Sequence, residues 1–231
     1  MGVKAQHNEK RRWSAFAIRT TDLLLSAVLL VVTAPLVILA SGFISLTSPG
    51  EPVIRQRRTG RGGCSFDLFK IRTMVPDAER DGPVLAARRD HRLLPGASTI
   101  RALHIDELPQ LLNVLRGDMS LVGPRPERPV FVEVLTDALS DYPRRHDLRP
   151  GLTGVAQVEG GYHMAAQEKL THDLVWCRRP TLMRYVWVLV LTPFAILRDL
   201  SEARQAEIEC DHDLPLAAAR GPKDPAVASL S

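Results

Sequence analysis

Apolar residues in this 231-residue chain are concentrated in two runs that flank a polar central region. The first run, Leu23 to Leu46, has 24 residues and no charge, and the second, Tyr185 to Leu197, has 13 residues with arginines on both sides. The pattern predicts three parts. These are a basic N-terminal segment with a membrane anchor (1–50), a compact domain (51–200) and a polar, Ala/Pro-rich tail predicted to be disordered (201–231).

The first run is long enough to cross a bilayer core, which takes about 20 residues. A cleaved signal peptide would have a shorter apolar stretch with a small-residue cleavage site behind it, whereas Ser48-Pro49-Gly50-Glu51-Pro52 follows here. Both flanks of the run are basic, with Lys4, Lys10, Arg11, Arg12 and Arg19 before it and Arg55, Arg57, Arg58 and Arg61 after it. Positive flanks mark the cytoplasmic side of a membrane segment.

A re-entrant helix-break-helix that enters and leaves on one face satisfies both basic flanks, and we favour it. Pro35 lies in the middle of the run, where it would kink or break the helix. The alternative is a straight spanning helix that tolerates the proline.

The second run is too short to span a bilayer. Trp176, Tyr185 and Trp187 are amphipathic aromatics of the kind found at headgroup depth. The pattern favours an interfacial amphipathic helix lying in the membrane plane. A buried core helix or strand is the alternative.

The central region is predicted to be α/β, mostly helical with short strands. Residues 52–58 and 65–72 are short extended pieces around a Gly-rich turn. The clearest helix starts at Asp106, because Leu108, Leu111, Leu112 and Leu115 share one helical face. Asp106 is a natural N-cap for it and Gly117 a natural stop.

The amino-acid composition leaves several classes of binding partner open. The net charge of +4 suits anionic lipids, nucleotide phosphates or nucleic acid equally well. Nucleic-acid binding is disfavoured because aromatic residues do not interleave with a basic face. The three cysteines, Cys64, Cys177 and Cys210, are widely spaced and odd in number, which indicates a reducing compartment, and the first two are interpreted as packing residues.

Asp106 and Glu107 are the candidate chemical centre. The positive end of a helix stabilises a carboxylate and an incoming phosphate alike. An ionised Asp there can attack phosphorus as a nucleophile, and its neighbour can hold a divalent metal. On its own, however, the pair is an ordinary capping pattern.

Basic residues around the pair strengthen the phosphate hypothesis. Lys70 and Arg72 lie on one short segment, and Arg101 lies five residues before Asp106. Arg125 is held between two prolines, which fix its backbone and favour bidentate contact with phosphate. Arg149 begins a further Gly/Pro turn. Together with the carboxylates, these residues indicate handling of a polyanionic phosphate.

The segment Asp106–Glu127, DELPQLLNVLRGDMSLVGPRPE, resembles the signature of the bacterial sugar transferases, the monotopic phosphoglycosyl transferases that act on polyprenyl phosphate. Supporting blocks stand in the right order from about Asp22 to Leu197. They are Gln56-Arg57-Arg58-Thr59-Gly60, Phe69-Lys70-Ile71-Arg72-Thr73-Met74 and Arg149-Pro150-Gly151-Leu152-Thr153-Gly154-Val155-Ala156-Gln157.

The resemblance implies a re-entrant anchor in the bacterial inner membrane, with the catalytic domain on the cytoplasmic face and Mg²⁺ as cofactor. It implies that Asp106 attacks a UDP-sugar, releases UMP and passes the phosphosugar to undecaprenyl phosphate, the first membrane step of exopolysaccharide or glycoconjugate synthesis. Glu107 matches the metal-binding residue. Lys70, Arg101 and Arg125 match phosphate-binding positions, and downstream glycosyltransferases are the implied partners.

The chain departs from the family pattern in four places. Ala34-Pro35 replaces Ser-Pro at the anchor's kink, and Ile71 replaces the Phe of Lys-Phe-Arg-Thr-Met. Glu159-Gly160-Gly161 replaces Asn-Gly-Arg, and Val175-Trp176, Thr181 and Tyr185 replace a tyrosine pair, Ser and Asp. The changes after residue 157 bear on sugar choice and membrane seating. They also leave open a catalytically degenerate homologue that binds lipid or a partner.

Overall fold

The computed structural model of the chain describes residues 2–76, 78, 80, 90–160 and 164–219. It is mostly helical with short strands, as predicted. The helices are α1 (Gly2–Thr47), α2 (Ala97–Ala102), α3 (Leu111–Arg116), α4 (Pro129–Ala138), α5 (Val155–Gly160), α6 (Ala166–Arg178) and α7 (Leu182–Ala219). The strands are β1 (Val53–Thr59), β2 (Ser65–Ile71), β3 (Ser120–Val122) and β4 (Gly151–Thr153), and 3₁₀ turns cover Arg61–Gly63, Ile105–Gln110 and Tyr142–Asp147.

Helix α1 carries the first apolar run, and its stretch Trp13–Thr47 is long and apolar enough to cross a membrane. The helix continues through Pro35, so the predicted break at this residue is not observed. A proline removes one backbone hydrogen bond, and the neighbouring turns of a long helix hold across the gap. Its large apolar side chains are mostly exposed, and Val31 and Leu46 are among the most exposed of them.

Both ends of this apolar run contact the same domain. Near the start, Asp22 and Ser26 are buried. Near the end, Ala40 and Ile44 pack in a cluster whose other buried members are Ile71, Leu94, Ala97 and Ile100. The domain therefore touches α1 on both sides of Pro35.

Strands β1 and β2 form an antiparallel hairpin, and a buried amide side chain ties it to α3. Asn113 Oδ1 accepts from the Phe69 backbone N–H at 3.0 Å, and Asn113 Nδ2 donates to the Asp67 carbonyl at 2.8 Å. The same Nδ2 lies 3.2 Å from Asp118 Oδ2. This clamp fixes β2, and hence Lys70, relative to the turn that precedes α3.

Strands β3 and β4 pair in parallel and bring the two Gly/Pro motifs together. A Cβ on Gly123 would lie 2.5 Å from the Arg149 carbonyl oxygen, and a Cβ on Gly151 would lie 2.0 Å from the Gly123 nitrogen. A Cβ on Gly154 would lie 2.2 Å from the Gly123 oxygen. These glycines permit close backbone contact between the two Gly/Pro segments.

Helix α7 is amphipathic, in line with the predicted interfacial helix. Val188 is fully buried, whereas Phe194 is 64% exposed. Of the three aromatics predicted at headgroup depth, only Trp187 is partly exposed, and the prediction is wrong for Trp176 and Tyr185, which are buried. Their rings fill the main core, and the Tyr185 hydroxyl has a buried acceptor there.

The predicted disordered tail begins inside α7, which continues to Ala219. Residues 201–212 include three Glu and two Ala, which favour helix. Residues 220–231 lie outside the described part of the chain. Cys177 is buried as predicted, but Cys64 is exposed, because it follows the Arg61–Gly63 turn at the tip of the hairpin.

Candidate active site

The Asp-Glu pair lies in a 3₁₀ turn, Ile105–Gln110, that leads directly into α3. The prediction that Asp106 caps the helix is wrong, because His104 occupies the N-cap position and Asp106 lies in the first turn. His104 has a φ of 53°, an uncommon conformation for a residue with a side chain. Gly117 ends α3 with a φ of 94°, as predicted.

Lys70 and Asp106 form an ion pair across the site. The Lys70 Nζ lies 2.8 Å from Asp106 Oδ2, and the Asp106 side chain is only 3% exposed. Burial of a carboxylate is costly unless a charge or hydrogen bond compensates for it, and Lys70 provides that charge. The sequence placed both residues in one site, and the structure brings them into contact.

Glu107 is clamped by Arg125. The guanidinium donates from Nη1 to Oε2 at 3.1 Å and from Nη2 to Oε1, which is a bidentate arrangement. Burial raises the pKa of the Glu107 carboxyl, but Arg125, together with His104 and Lys70, outweighs burial and holds that pKa well below its usual value. Glu107 therefore remains a carboxylate at neutral pH.

Two further residues of the site were not assigned from the sequence. Arg58 donates to the Pro126 carbonyl at 3.0 Å, and burial with the nearby Arg125 charge lowers its pKa to about 10. His104 Nδ1 lies 3.9 Å from Glu107 Oε2, and this carboxylate raises the pKa of the imidazole. Arg58 belongs to a block that resembles the family. No sequence pattern pointed to His104, since its role depends on backbone geometry.

A large open cavity of about 2620 Å³ is lined by these groups and by residues of α1 and α7. Its polar part is lined by Arg58, Lys70, Arg101, Asp106, Glu107 and Arg125. Its apolar part reaches Leu25 and Leu29 of α1 and Leu189, Pro193 and Ile196 of α7. The lining of the cavity thus combines cationic side chains with apolar side chains of α1 and α7.

Two predicted phosphate ligands make contacts within the fold instead. The Arg72 guanidinium is largely buried and donates to the carbonyls of Ser48 at 2.9 Å and Pro49 at 2.5 Å, just beyond the end of α1. Arg149 Nε donates to the Gly117 carbonyl at 2.8 Å, at the end of α3. Basic side chains stabilise the negative end of a helix. The structure therefore does not place these two guanidinium groups beside Asp106.

Arg145 is a buried residue that holds the backbone of Arg125 in place. Its Nη2 donates to the Arg125 carbonyl at 2.9 Å and to Asp173 Oδ2 at 2.7 Å. Its Nη1 donates to the Tyr142 hydroxyl. The backbone of Arg125 is thus held by a side chain 20 residues away in the sequence, which pattern reasoning did not find.

The donor set determines what kind of metal site is conceivable here. Mg²⁺ is commonly held by one or two carboxylates, with substrate phosphates and waters completing its shell. Asp106 and Glu107 provide two such carboxylates, and the described residues contain no group of three or more His, Cys, Asp or Glu side chains able to hold a metal. This set fits a Mg²⁺ shared with a substrate phosphate better than a site closed by protein ligands.

Of the departures from the family pattern, Ile71 adjoins Lys70 and lines the cavity, whereas Glu159 and Tyr185 form contacts elsewhere. Glu159 Oε2 approaches His172 Nδ1 at 2.5 Å, and Gly161 lies outside the described residues. The Tyr185 hydroxyl donates to Asp22 Oδ1 at 2.7 Å. The contacts of Asp106 and Glu107 involve none of these positions.

Comparison with known proteins identifies the family. The chain is 38% identical over 189 residues to a UDP-N-acetylgalactosamine-undecaprenyl-phosphate N-acetylgalactosaminephosphotransferase of Aeromonas hydrophila, a match covering 80% of this chain and 44% of that protein. It is 47% identical over 144 residues to a UDP-glucose:undecaprenyl-phosphate glucose-1-phosphate transferase of Caulobacter vibrioides, covering 62% and 53%. The chain thus spans about half the length of these relatives. Since residues 13–199 match the family as a whole, the chain belongs to the bacterial sugar transferases.

Proposed function

We propose that this protein transfers a sugar 1-phosphate from a UDP-sugar to undecaprenyl phosphate and releases UMP. The observation that carries the proposal is the buried Asp106 carboxylate, which lies 2.8 Å from Lys70 in a cavity that is also lined by α1 and α7. Both relatives described above are named for transfer to undecaprenyl phosphate. Transfer from a soluble nucleotide to a membrane lipid needs a cavity with both charged and apolar lining, because the two substrates must reach the same carboxylate.

In the first step, an Asp106 oxygen attacks the sugar-bearing phosphorus of the UDP-sugar. The new P–O bond joins that phosphorus to the carboxylate, while the bond to the bridging oxygen breaks and UMP leaves with the electron pair. Lys70 neutralises charge at the attacking carboxylate, and Arg125, Arg101 and Arg58 provide positive charge for the diphosphate. The product is an acyl phosphate that carries the sugar.

In the second step, a phosphate oxygen of undecaprenyl phosphate attacks the same phosphorus. The bond to Asp106 breaks, the carboxylate is regenerated, and the sugar leaves on an undecaprenyl diphosphate. The apolar wall formed by α1 and α7 accommodates the lipid chain while its phosphate reaches Asp106. A downstream glycosyltransferase would extend this lipid-linked sugar.

Glu107, with Asp106, would hold Mg²⁺ together with the substrate diphosphate. A bound Mg²⁺ neutralises phosphate charge and favours departure of the nucleotide. Arg125 pairs with both oxygens of Glu107 and so neutralises the charge of this carboxylate.

We propose further that α1, although helical through Pro35, enters and leaves on one face as a re-entrant anchor in the bacterial inner membrane, with the domain at the cytoplasmic face. Support comes from the contacts that both ends of its apolar run make with one domain, since a straight spanning helix would carry one end to the opposite side. An Ala15→Cys variant retaining Cys64, with Cys177 and Cys210 replaced by Ala, tests the topology. Both thiols should react with a membrane-impermeant maleimide only in inverted vesicles, and labelling of position 15 from the outside would contradict the re-entrant anchor.

The reaction itself is tested with purified enzyme, undecaprenyl phosphate and Mg²⁺. UDP-glucose, UDP-galactose and UDP-N-acetylgalactosamine are supplied separately, and UMP and the lipid product are measured by mass spectrometry. We expect equimolar UMP and undecaprenyl diphosphate sugar with at least one donor. Release of UDP instead of UMP would contradict transfer of a sugar phosphate.

A further inference from the structure

Asp22 is a buried carboxylate near the start of the anchor's apolar run, and its residue is only 1% exposed. Its Oδ1 accepts three hydrogen bonds, from Ser120 Oγ at 2.9 Å, the Leu121 N–H at 2.8 Å and the Tyr185 hydroxyl at 2.7 Å. Burying a charge is costly unless donors compensate for it, so these three contacts hold the carboxylate in place. The proposed reaction does not use this group.

Two of the three donors belong to β3. One edge of this strand pairs with β4, and on that edge the Ser120 N–H donates to the Pro150 carbonyl at 2.9 Å. The Leu121 N–H points to the opposite edge, because the N–H groups of successive residues in a strand point to opposite edges. Asp22 satisfies this N–H, so the anchor occupies the place that a second neighbouring strand would take.

Strand β3 leads directly to the residue that clamps Glu107. Arg125 follows Leu121 by four residues, and its two flanking prolines restrict the connecting backbone. The same anchor helix also holds the far end of α3, since Arg19 Nη1 donates to the Val114 carbonyl at 2.8 Å. The anchor thus contacts β3, which precedes Arg125, and α3, which follows the turn that carries Glu107.

We infer that Asp22 is a positioning residue, through which the membrane anchor fixes Arg125 against Glu107. The activity part of this inference rests on the proposed function. Tyr185 extends the link to α7, so both helices with exposed apolar faces meet at one carboxylate. Burial and the Asp22 charge raise the pKa of Tyr185, which keeps its hydroxyl protonated as a donor. The tyrosine that departs from the family pattern thereby gains a defined role.

Four variants separate positioning from folding. Asp22→Ala removes the acceptor, whereas Asp22→Asn keeps an amide oxygen in its place. Ser26→Ala is the matched control, because Ser26 lies one turn later, is fully buried, and its Oγ has no hydrogen-bond partner among the described residues. Tyr185→Phe removes one of the three donors and serves if Asp22→Ala does not fold.

The first readout is hydrogen exchange in detergent, which needs no activity. Asp22→Ala should speed exchange across 119–127, and Tyr185→Phe should do so to a smaller extent, while Ser26→Ala leaves this segment unchanged. Unchanged exchange over 119–127 in folded Asp22→Ala would overturn the inference. This outcome is independent of whether the proposed reaction occurs.

The second readout is UMP release at varied UDP-sugar concentration. Misplacing a binding group costs on the order of ten- to hundredfold in kcat/KM, and we expect a loss in this range for Asp22→Ala, chiefly as a higher KM for the nucleotide sugar. Asp22→Asn should retain most of the wild-type kcat/KM. A folded Asp22→Ala enzyme with wild-type KM and kcat would reduce Asp22 to a purely structural residue. Absence of UMP release from the wild type would instead contradict the proposed function.

Discussion

Replacing Arg125 by Ala removes both hydrogen bonds to Glu107, a carboxylate that is only 8% exposed. Hydrogen bonds to charged groups contribute roughly 1.5–3 kcal/mol each. Because the Arg125 side chain is 41% exposed, water compensates for part of the lost hydrogen-bond energy. We therefore expect the free energy of unfolding to fall by about 1–3 kcal/mol. In a chain of this size that lowers the melting temperature by about 2–10 °C.

The loss should depend on pH in a defined direction. Arg125 contributes to holding the Glu107 pKa below its usual value of 4.5, so the pair's contribution is fully present above that value and is lost as pH falls through the folded-state pKa. Scanning fluorimetry in detergent at pH 7 and at pH values below 4.5 measures the difference between wild type and Arg125→Ala. The difference should shrink at the lower pH.

The control for this prediction is Arg57→Ala. Arg57 pairs with Asp67 at 3.3 Å, but both side chains are largely exposed, so the expected change is below about 0.5 kcal/mol. A double-mutant cycle of Arg125→Ala with Glu107→Gln isolates the pair itself. Equal stability of wild type and Arg125→Ala at pH 7, or zero coupling in the cycle, would refute the reasoning.

Three further predictions concern stability. Gly123→Ala should cost about 1–3 kcal/mol in a thermal or denaturant melt, because its Cβ would lie 2.5 Å from the Arg149 carbonyl, whereas Gly42→Ala, with open space around it, should not destabilise. Burial and the adjacent Arg145 charge lower the pKa of His146 to about 4, so stability should fall as pH drops from 6.5 toward 4. Because solvent screens this partly exposed ring, the loss at pH 5 should be about 1 kcal/mol, and His146→Gln should remove this dependence. Arg72→Met should lower the melting temperature with little change in the KM for UDP-sugar, and a selective rise in KM would return Arg72 to the substrate site.

The sequence predicted those features that depend on local periodicity. The leucines after Asp106 form α3 and its preceding turn, Gly117 ends the helix, and the two apolar runs lie on α1 and α7. The capping role of Asp106 was mistaken, since His104 in a left-handed conformation starts the turn earlier. Such a conformation in a non-glycine residue leaves no pattern in a sequence.

Side-chain partners across the fold were harder to predict. Lys70 and Arg72 lie two apart and would share one face of a strand, but β2 ends at Ile71, so Arg72 turns toward the end of α1. Tyr185 looked like an interfacial aromatic, because the acceptor that buries it, Asp22, lies 163 residues away. Pairings of this kind depend on tertiary packing and not on local propensity.

The most direct test of the central claim is the intact mass of the enzyme after incubation with a UDP-sugar and Mg²⁺ in the absence of lipid. The account predicts UMP release and a mass increase equal to one phosphosugar, which Asp106→Asn abolishes and the exposed-carboxylate control Asp67→Asn retains. Addition of undecaprenyl phosphate should then discharge the adduct. A wild-type enzyme that never gains this mass yet turns over once lipid is present, or an Asp106→Asn enzyme with full turnover, would contradict Asp106 as the nucleophile.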